Sequence, residues 1–359
     1  MPSPFDAPVA AIQPLFDGPV DLIGDVHGEW LALQALLAHL GYDQHGEHRQ
    51  GRRLVFVGDL CDRGPDSPRV IEFVRQAVHR ELAQCVLGNH ELNVLRHERK
   101  RGNGWFFASH PDHARVEFGG SRRATARERE TIRAFFATLP LALQRTDLRV
   151  THAAWDSAAL TTIGADSLRS HLDRYADYER DIAGRVGGDV AAAVREELHH
   201  WGEHLHDAEH PVPLLPALAF ADETYQMGNP LRVLTSGVER RAAQSFFASG
   251  KWRMVARVPW WQEYAEPTPV VIGHYWRWLT PEGRTRYGHG AADLFGGTDP
   301  LAWLGPSGKV FCVDYSVGAR FRERADGHEP GSCTTLAALR WPERDVVTET
   351  GRRFPASGP

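Results

Sequence analysis

Asp25 and His27 in "GDVHG", Asp59, Asp62 and Arg63 in "GDLCDRG", and Asn89, His90 and Glu91 in "GNHE" have the types and spacing to do chemistry. Each group follows a short apolar run that closes on glycine. His152 in "VTHAAW" and His274 in "VIGHYW" end two further apolar runs. Carboxylate, carboxamide and neutral imidazole are donors that suit divalent cations such as Mn, Fe or Zn, and no thiolate is among them. With one residue between them in an extended strand end, Asp25 and His27 face the same way. An aspartate has two oxygens and can bridge two ions. Glycine before these groups lets the backbone turn sharply and approach closely. An isolated Asp or His after a strand is commonly a turn residue. Five such groups in one chain point instead to a shared site.

The elements that must position them read as alternating strands and helices. "VDLIG" (20–24), "RLVFVG" (53–58), "QCVLG" (84–88) and "LRVTH" (148–152) have the pattern of buried strands. Between them lie helical patterns at 29–41, stopped by Gly41, at 67–82, with Ser67 as N-cap and Pro68 at N1, and at 126–140, stopped by Pro140. This rhythm predicts buried sheets flanked by helices, with a site at the carboxyl ends of the strands. From about 156 to 250 the pattern is helical, with no strand evident. Strand-like runs return at 269–273, 309–316 and 333–341. The expected organisation is therefore a first core segment (1–155), a helical insertion or cap (156–250), a second core segment (251–345) and a C-terminal tail (346–359) whose last ten or so residues are expected to be mobile.

Composition narrows the class. With 359 residues and 42% hydrophobic content the chain can bury a large core. The formal charge of −5 offers no general attraction to nucleic acid or anionic membrane. No apolar run approaches the roughly 18 residues of a membrane span. The N-terminal stretch lacks the basic and apolar regions of a secretion signal. Four widely spaced cysteines (Cys61, Cys85, Cys312, Cys333) form no CxxC pair, which fits reduced thiols and a cytoplasmic location.

The order D-x-H, G-D-x-x-D-R-G, G-N-H-E, then two isolated histidines resembles the calcineurin-like metallophosphoesterases. Within them it looks like the PPP branch of serine/threonine phosphatases and bacterial diadenosine tetraphosphatases. "VFCVDYSVGARF" and "CTTLAALRWPE" further resemble the closing strands of the bacterial members. The likeness covers about 20–155 and 250–345. It implies an α/β fold, a four-layer αββα sandwich, and two divalent ions, manganese first, with Fe, Zn, Ni or Co as alternatives. It implies that Asp25 and His27 hold the first ion, that Asp59 bridges both, and that Asn89, His152 and His274 hold the second. His90 would be the general acid, Asp62 its hydrogen-bond partner, and Arg63 a phosphate grip. Two such ions about 3.5–4 Å apart can clamp an in-line displacement and lower the pKa of water toward roughly 7. An imidazolium backed by carboxylate contributes about 10²–10⁴-fold as an acid.

Departures bear on the substrate. "GHYW" puts Trp276 where other branches have a second ligating histidine, and Tyr275 where PPP members have threonine. "HAA" (152–154) replaces "HGG" or "HAG" and narrows the space beside the second ion. A second phosphate-binding arginine is expected before the last ligand strand, with Arg257 as first candidate and Arg253 as second. The histidine run 199–210 reads as a solvated helix face, the basic run 96–101 as solvated surface, and Trp260, Trp261, Trp276 and Trp278 as core. The expected activity is hydrolysis of phosphomonoesters or phosphoanhydrides by metal-activated water. The preferred substrates are nucleotides or small molecules such as dinucleoside polyphosphates. Alternatives are a phosphoprotein substrate, an RNA-end or cyclic phosphodiester, or a catalytically silent binding module.

Overall fold

The computed structural model describes residues 8–118, 120–164, 169–248, 250–288 and 293–358. Its strands, in chain order, are β1 (Ile12–Pro14), β2 (Val20–Ile23), β3 (Arg53–Phe56), β4 (Ala83–Cys85), β5 (Ala142–Gln144), β6 (Arg149–Thr151), β7 (Glu239–Ala248), β8 (Lys251–Arg257), β9 (Val270–Ile272), β10 (Val310–Cys312), β11 (Ala337–Trp341), β12 (Asp345–Thr348) and β13 (Arg353–Pro355). They form a five-stranded sheet, β1-β5-β6-β9-β10, a six-stranded sheet, β13-β12-β11-β2-β3-β4, and the separate hairpin β7-β8. The neighbours β2, β3 and β4 run parallel, as do β6, β9 and β10.

Alternation along the strands explains the layering. Val20, Leu22, Val55 and Val57 from one sheet meet Val150, Val271, Phe311 and Val313 from the other in a core between the sheets. The intervening residues, Ile23, Leu54, Phe56, Val270, Ile272, Val310 and Cys312, join a second core shared with the helices. Successive side chains of a strand point to opposite faces, so strands buried on both sides read as continuous apolar runs. Burying each such Val, Leu or Phe contributes about 1.5–3 kcal/mol. The expected α/β sandwich of two central sheets with outer helices is the observed architecture.

Several local expectations change. The helix Ser67–His79 is capped by Asp66, whose side chain accepts from Arg69 N. Ser67 is its first residue rather than its cap. Its hydroxyl accepts from Asp62 N at 3.0 Å, so it serves the site loop instead. The third helix ends at Phe136, short of Pro140. The segment expected to be helical to residue 250 ends in β7, and the turn at Gly250 joins it to β8. A register shift between Arg241 and Phe246 blurs the alternation that would have marked the hairpin. The tail expected to end in mobile residues carries β12 and β13, which extend the six-stranded sheet, and Ser357 N donates to Leu301 O at 2.9 Å. Residues 1–7 of the N-terminal stretch and 165–168 of the insertion lie outside the described residues. Among the described residues no helix is long and apolar enough to cross a membrane.

Candidate metal centre

Each candidate group leaves the carboxyl end of a strand. Asp25 and His27 follow β2, Asp59 to Arg63 follow β3, and Asn89 and His90 open the helix Asn89–Leu95 after β4. His152 follows β6 and His274 follows β9. Parallel neighbours bring these ends together within each sheet, and cross-sheet bonds join the two sets. His152 Nδ1 donates to Val57 O at 2.7 Å. His274 N lies 3.2 Å from both oxygens of Asp25.

The turns are tight enough to be strained. His27, Asp59, Asp62, Arg63, His274, Trp276 and Ser316 all have positive φ, a region that costs non-glycine residues about 1–3 kcal/mol each. Glycines let the chains touch. A Cβ on Gly273 would lie 2.1 Å from Asp25 Oδ1, and one on Gly88 2.3 Å from Asp59 Oδ1.

Two donor groups result, and they share one atom. Asp59 Oδ2 lies 3.8 Å from His27 Nε2, which is itself 3.8 Å from Asp25 Oδ2. The same oxygen lies 3.4 Å from His152 Nε2. Asn89 Oδ1 is 3.2 Å from His152 Nε2 and 3.0 Å from His274 Nδ1. Bonds of about 2.0–2.2 Å to one ion place adjacent ligand atoms roughly 3–3.5 Å apart. The second group has this spacing, the first is a few tenths of an ångström wider, and Asp59 stands between them. Ring orientation fits as well. The Nδ1–H groups of His27 and His152 donate to the carbonyls of Cys61 and Val57, which turns each Nε2 lone pair inward.

The electrostatics also call for cations. Asp25, Asp59, Glu91 and Asp314 are all buried. Burial, then the charges of Asp314 and Asp59, push the Asp25 carboxyl well above its ordinary range. Burial likewise raises Asp314. Burial would raise Asp59 too, but His152 and His90 outweigh it and hold the carboxylate low. Burial and the charges of Arg63 and His90 keep His27 neutral; burial and the charges of Arg257 and His152 do the same for His274. Neutral imidazole is the ligating form.

His90 Nδ1 donates to Asp62 Oδ2 at 2.5 Å, and Trp105 Nε1 donates to Asp62 Oδ1 at 2.6 Å. Asp62 is thus committed to orienting His90, whose Nε2 faces the cluster 3.8 Å from Asp59 Oδ2. Arg63 forks between two imidazoles, donating at 3.0 Å to His27 Nε2 and at 3.0 Å to His90 Nε2. Arg257, at the end of β8, stands 5.8 Å from the Tyr275 ring centroid, and its charge reaches His274. Arg253 is turned to Ala248 O in its own hairpin turn.

Sequence reasoning singled out Glu91 without giving it a role and missed three further partners, Asp314, Trp105 and Arg322. Glu91 accepts from the backbone N–H of Asp59, Leu60 and Gly88, so it braces the ligand loop and is no ligand. Asp314 accepts from Trp276 N and Ser316 N, fixing the turn after His274. Trp105 secures Asp62. Arg322 lies 5.4 Å from the Trp276 centroid, whose ring also carries Arg63 at 5.1 Å. Besides Glu91 in "GNHE", only Asp314, in the "DYS" stretch, had a signal in the sequence. The expected spectator Cys61 is buried, donates to Glu91 Oε1 at 3.3 Å, and has its thiol pushed up by burial. Trp260 and Trp261 are core, whereas Trp276 is half-buried at the site. In the basic run, Arg96 and Lys100 pair with Glu98, and Arg101 with Glu117.

The calcineurin-like phosphoesterase family matches residues 18–185. A bis(5'-nucleosyl)-tetraphosphatase PrpE (asymmetrical) of Oceanobacillus iheyensis is 50% identical over 80 residues, 21% of this chain and 32% of its own. The Bacillus subtilis PrpE is 47% identical over 80 residues, 21% and 33% of the two chains. The chain thus spans about a third of the length of the curated relatives it matches. A cold-active protein-tyrosine phosphatase of a psychrophilic Shewanella aligns over 99% of this chain and 83% of its own, at 14% identity and a TM-score of 0.46. Residues 18–185, which match the calcineurin-like phosphoesterase family, supply every candidate residue except Arg253, Arg257 and His274.

Proposed function

We propose that this protein is a dinuclear-metal phosphoesterase that hydrolyses phosphomonoesters or phosphoanhydrides. The observation that carries the reading is Asp59 Oδ2, one carboxylate oxygen shared by two buried donor groups. Asp25, His27 and Asp59 would hold one divalent ion, and Asp59, Asn89, His152 and His274 the other. Manganese is the first choice, since oxygen and imidazole donors without thiolate suit it. When bound, the pair would supply an activated water and neutralise charge on the phosphoryl group.

The chain's own residues do the rest. His90, held by Asp62, presents Nε2 toward the reacting centre and would protonate the leaving alkoxide. Arg63 offers a planar two-pronged donor that would exchange its imidazole partners for phosphoryl oxygens. Arg257 approaches from the opposite segment of the chain and would bind a further oxygen.

The substrate proposed is a nucleotide or small molecule carrying more than one phosphate, such as a dinucleoside polyphosphate. The PrpE names support this, and so does the second guanidinium, Arg322, beside Arg63. The insertion bounds the site: Leu234 O accepts from Ala153 N next to His152, at 3.0 Å. Four buried unpaired thiols support a cytoplasmic setting.

The test is Asp59→Asn assayed on an aryl phosphate with added manganese. A loss of at least 10³-fold in kcat/KM, with loss of bound metal, is expected. Unchanged turnover would end the proposal. A panel of diadenosine polyphosphates, a phosphopeptide and cyclic nucleotides then fixes the class, and a preference for the phosphopeptide would replace the nucleotide reading.

A further inference from the structure

From His204, Asp207 and His210 we infer a separate transition-metal site in the insertion, unrelated to the shared carboxylate. Each offers one ligand atom, and the three atoms lie within 4.8 Å of one another. The two imidazoles stack with centroids 3.7 Å apart and planes 10° from parallel. His204 Nε2 also lies 3.5 Å from Glu203 Oε1, a carboxylate within reach of a fourth position.

In the sequence the run 199–210 reads as a solvated helix face, on which His200 and His204 would stand four residues apart. The structure separates them. His200 Nδ1 donates back to Glu196 O at 2.8 Å inside the helix Gly188–Trp201. His204 sits in the following 3-10 turn, Gly202–His204, and turns to His210 instead.

The backbone beneath these side chains is anchored. Asp207 N donates to His204 O at 3.0 Å, and Asp207 O accepts from Trp252 Nε1 at 2.8 Å. Trp252 N donates to Leu205 O, and His206 Nδ1 to Gly250 O. The segment 204–210 is therefore docked on β8, with Leu205 buried among Val212, Leu215 and Met254. Zinc holds ligand atoms about 3.3 Å apart in a tetrahedron. Closing from 4.8 Å needs only side-chain rotation by groups at the surface. Two imidazoles and a carboxylate favour zinc, nickel or copper over magnesium or calcium. A bound ion would clasp the segment 204–210 on itself, just after the helix Gly188–Trp201 and where the chain is docked on β8.

The experiment uses Asp59→Asn as background, so that the central site does not dominate. The full chain is dialysed against Zn²⁺ and its metal content measured, with and without His210→Ala or His204→Gln. The background should hold one zinc per chain more than either double variant. Zinc should raise its Tm, and should not raise theirs. In the otherwise wild-type chain both histidine substitutions should leave aryl phosphate hydrolysis unchanged. Equal zinc content and equal zinc-induced Tm shifts would overturn the site. Because the comparison is made within the Asp59→Asn background, its failure leaves the phosphoesterase proposal standing.

Discussion

The central cluster and the insertion both bring histidines and carboxylates together, but they hold them differently. At the centre the candidate ligand side chains, Asn89 apart, are buried, and their turns adopt strained backbone angles fixed by Glu91 and Asp314. In the insertion, the helix Gly188–Trp201 has no buried residue, and it packs against two small clusters through Val190, Val194 and Trp201. The cluster of His204, Asp207 and His210 is part-exposed. The difference teaches where tolerance lies. A site built from interlocked backbone turns has no room to adjust, whereas a site of mobile side chains can close around an ion.

The same chemical change should therefore have opposite outcomes in the two regions. Gly273→Ala adds one methyl 2.1 Å from Asp25 Oδ1 and 2.8 Å from a methyl of Val57. Every neighbour is buried, so Asp25 must move and the His274 turn with it. The expected result is a loss of at least about 10³-fold in kcat/KM, with bound metal reduced, measured by steady-state assay and elemental analysis. Near-normal turnover would show that the central turns are more compliant than their contacts imply.

Within the centre, the ligands can be told apart from the proton machinery. His90→Asn should reduce kcat by about 10²–10⁴-fold while metal content stays at the wild-type level. Asp62→Asn should retain metal too and slow turnover less, because it acts through His90. Loss of metal in either variant would reassign His90 as a ligand, which its distance of 3.8 Å from Asp59 Oδ2 permits.

How much of this was legible depended on distance along the chain. Strands β2, β3, β6 and β9 could be read because their apolar runs end in glycine or histidine. The ligands could be read because each sits within a few residues of such an end. Trp105 on Asp62 and Arg322 beside Trp276 could not, since they are separated by 43 and 46 positions and joined only by tertiary packing. The hairpin β7-β8 was hidden by its register shift and by polar residues such as Arg240, Arg241 and Gln244 on a partly exposed strand. The strand β13 was hidden by its length of three residues and by Pro355, which suits a sheet edge as well as a tail.

The insertion has one feature of central-site character, and it titrates. His171, in the helix His171–Arg185, is buried with Nε2 donating to Leu139 O at 2.9 Å. Burial, opposed by that bond and aided by Arg174, lowers its pKa from 6.5 to about 4. The unfolded chain then takes up this proton at a higher pH than the folded one. The stabilisation is complete above about pH 6.5 and is lost as pH falls toward 4, to the extent of about 3 kcal/mol. His171→Gln keeps a donor for Leu139 O but does not titrate. Urea unfolding at pH 7 and pH 4.5 should show a smaller drop for the variant than for the wild type. Equal drops would mean that His171 is not the group that loosens this seam in acid.

Gly184→Ala is the counterpart of Gly273→Ala and should have the smallest effect. Gly184 is exposed in the last turn of the same helix, and an added Cβ would meet no atom within 4 Å. Its φ is not in the left-handed region, so alanine fits without strain. Replacing glycine in a helix reduces the freedom lost on folding and stabilises by about 0.5–1 kcal/mol. For a chain of this size that is a rise in Tm of about 1–3 °C, with kcat/KM unchanged. One methyl would then abolish function at the centre and slightly stabilise the insertion. A fall in Tm or in activity for Gly184→Ala would show that the insertion's surface is under a constraint its open surroundings do not reveal, and the contrast between the two regions would fail at its permissive end.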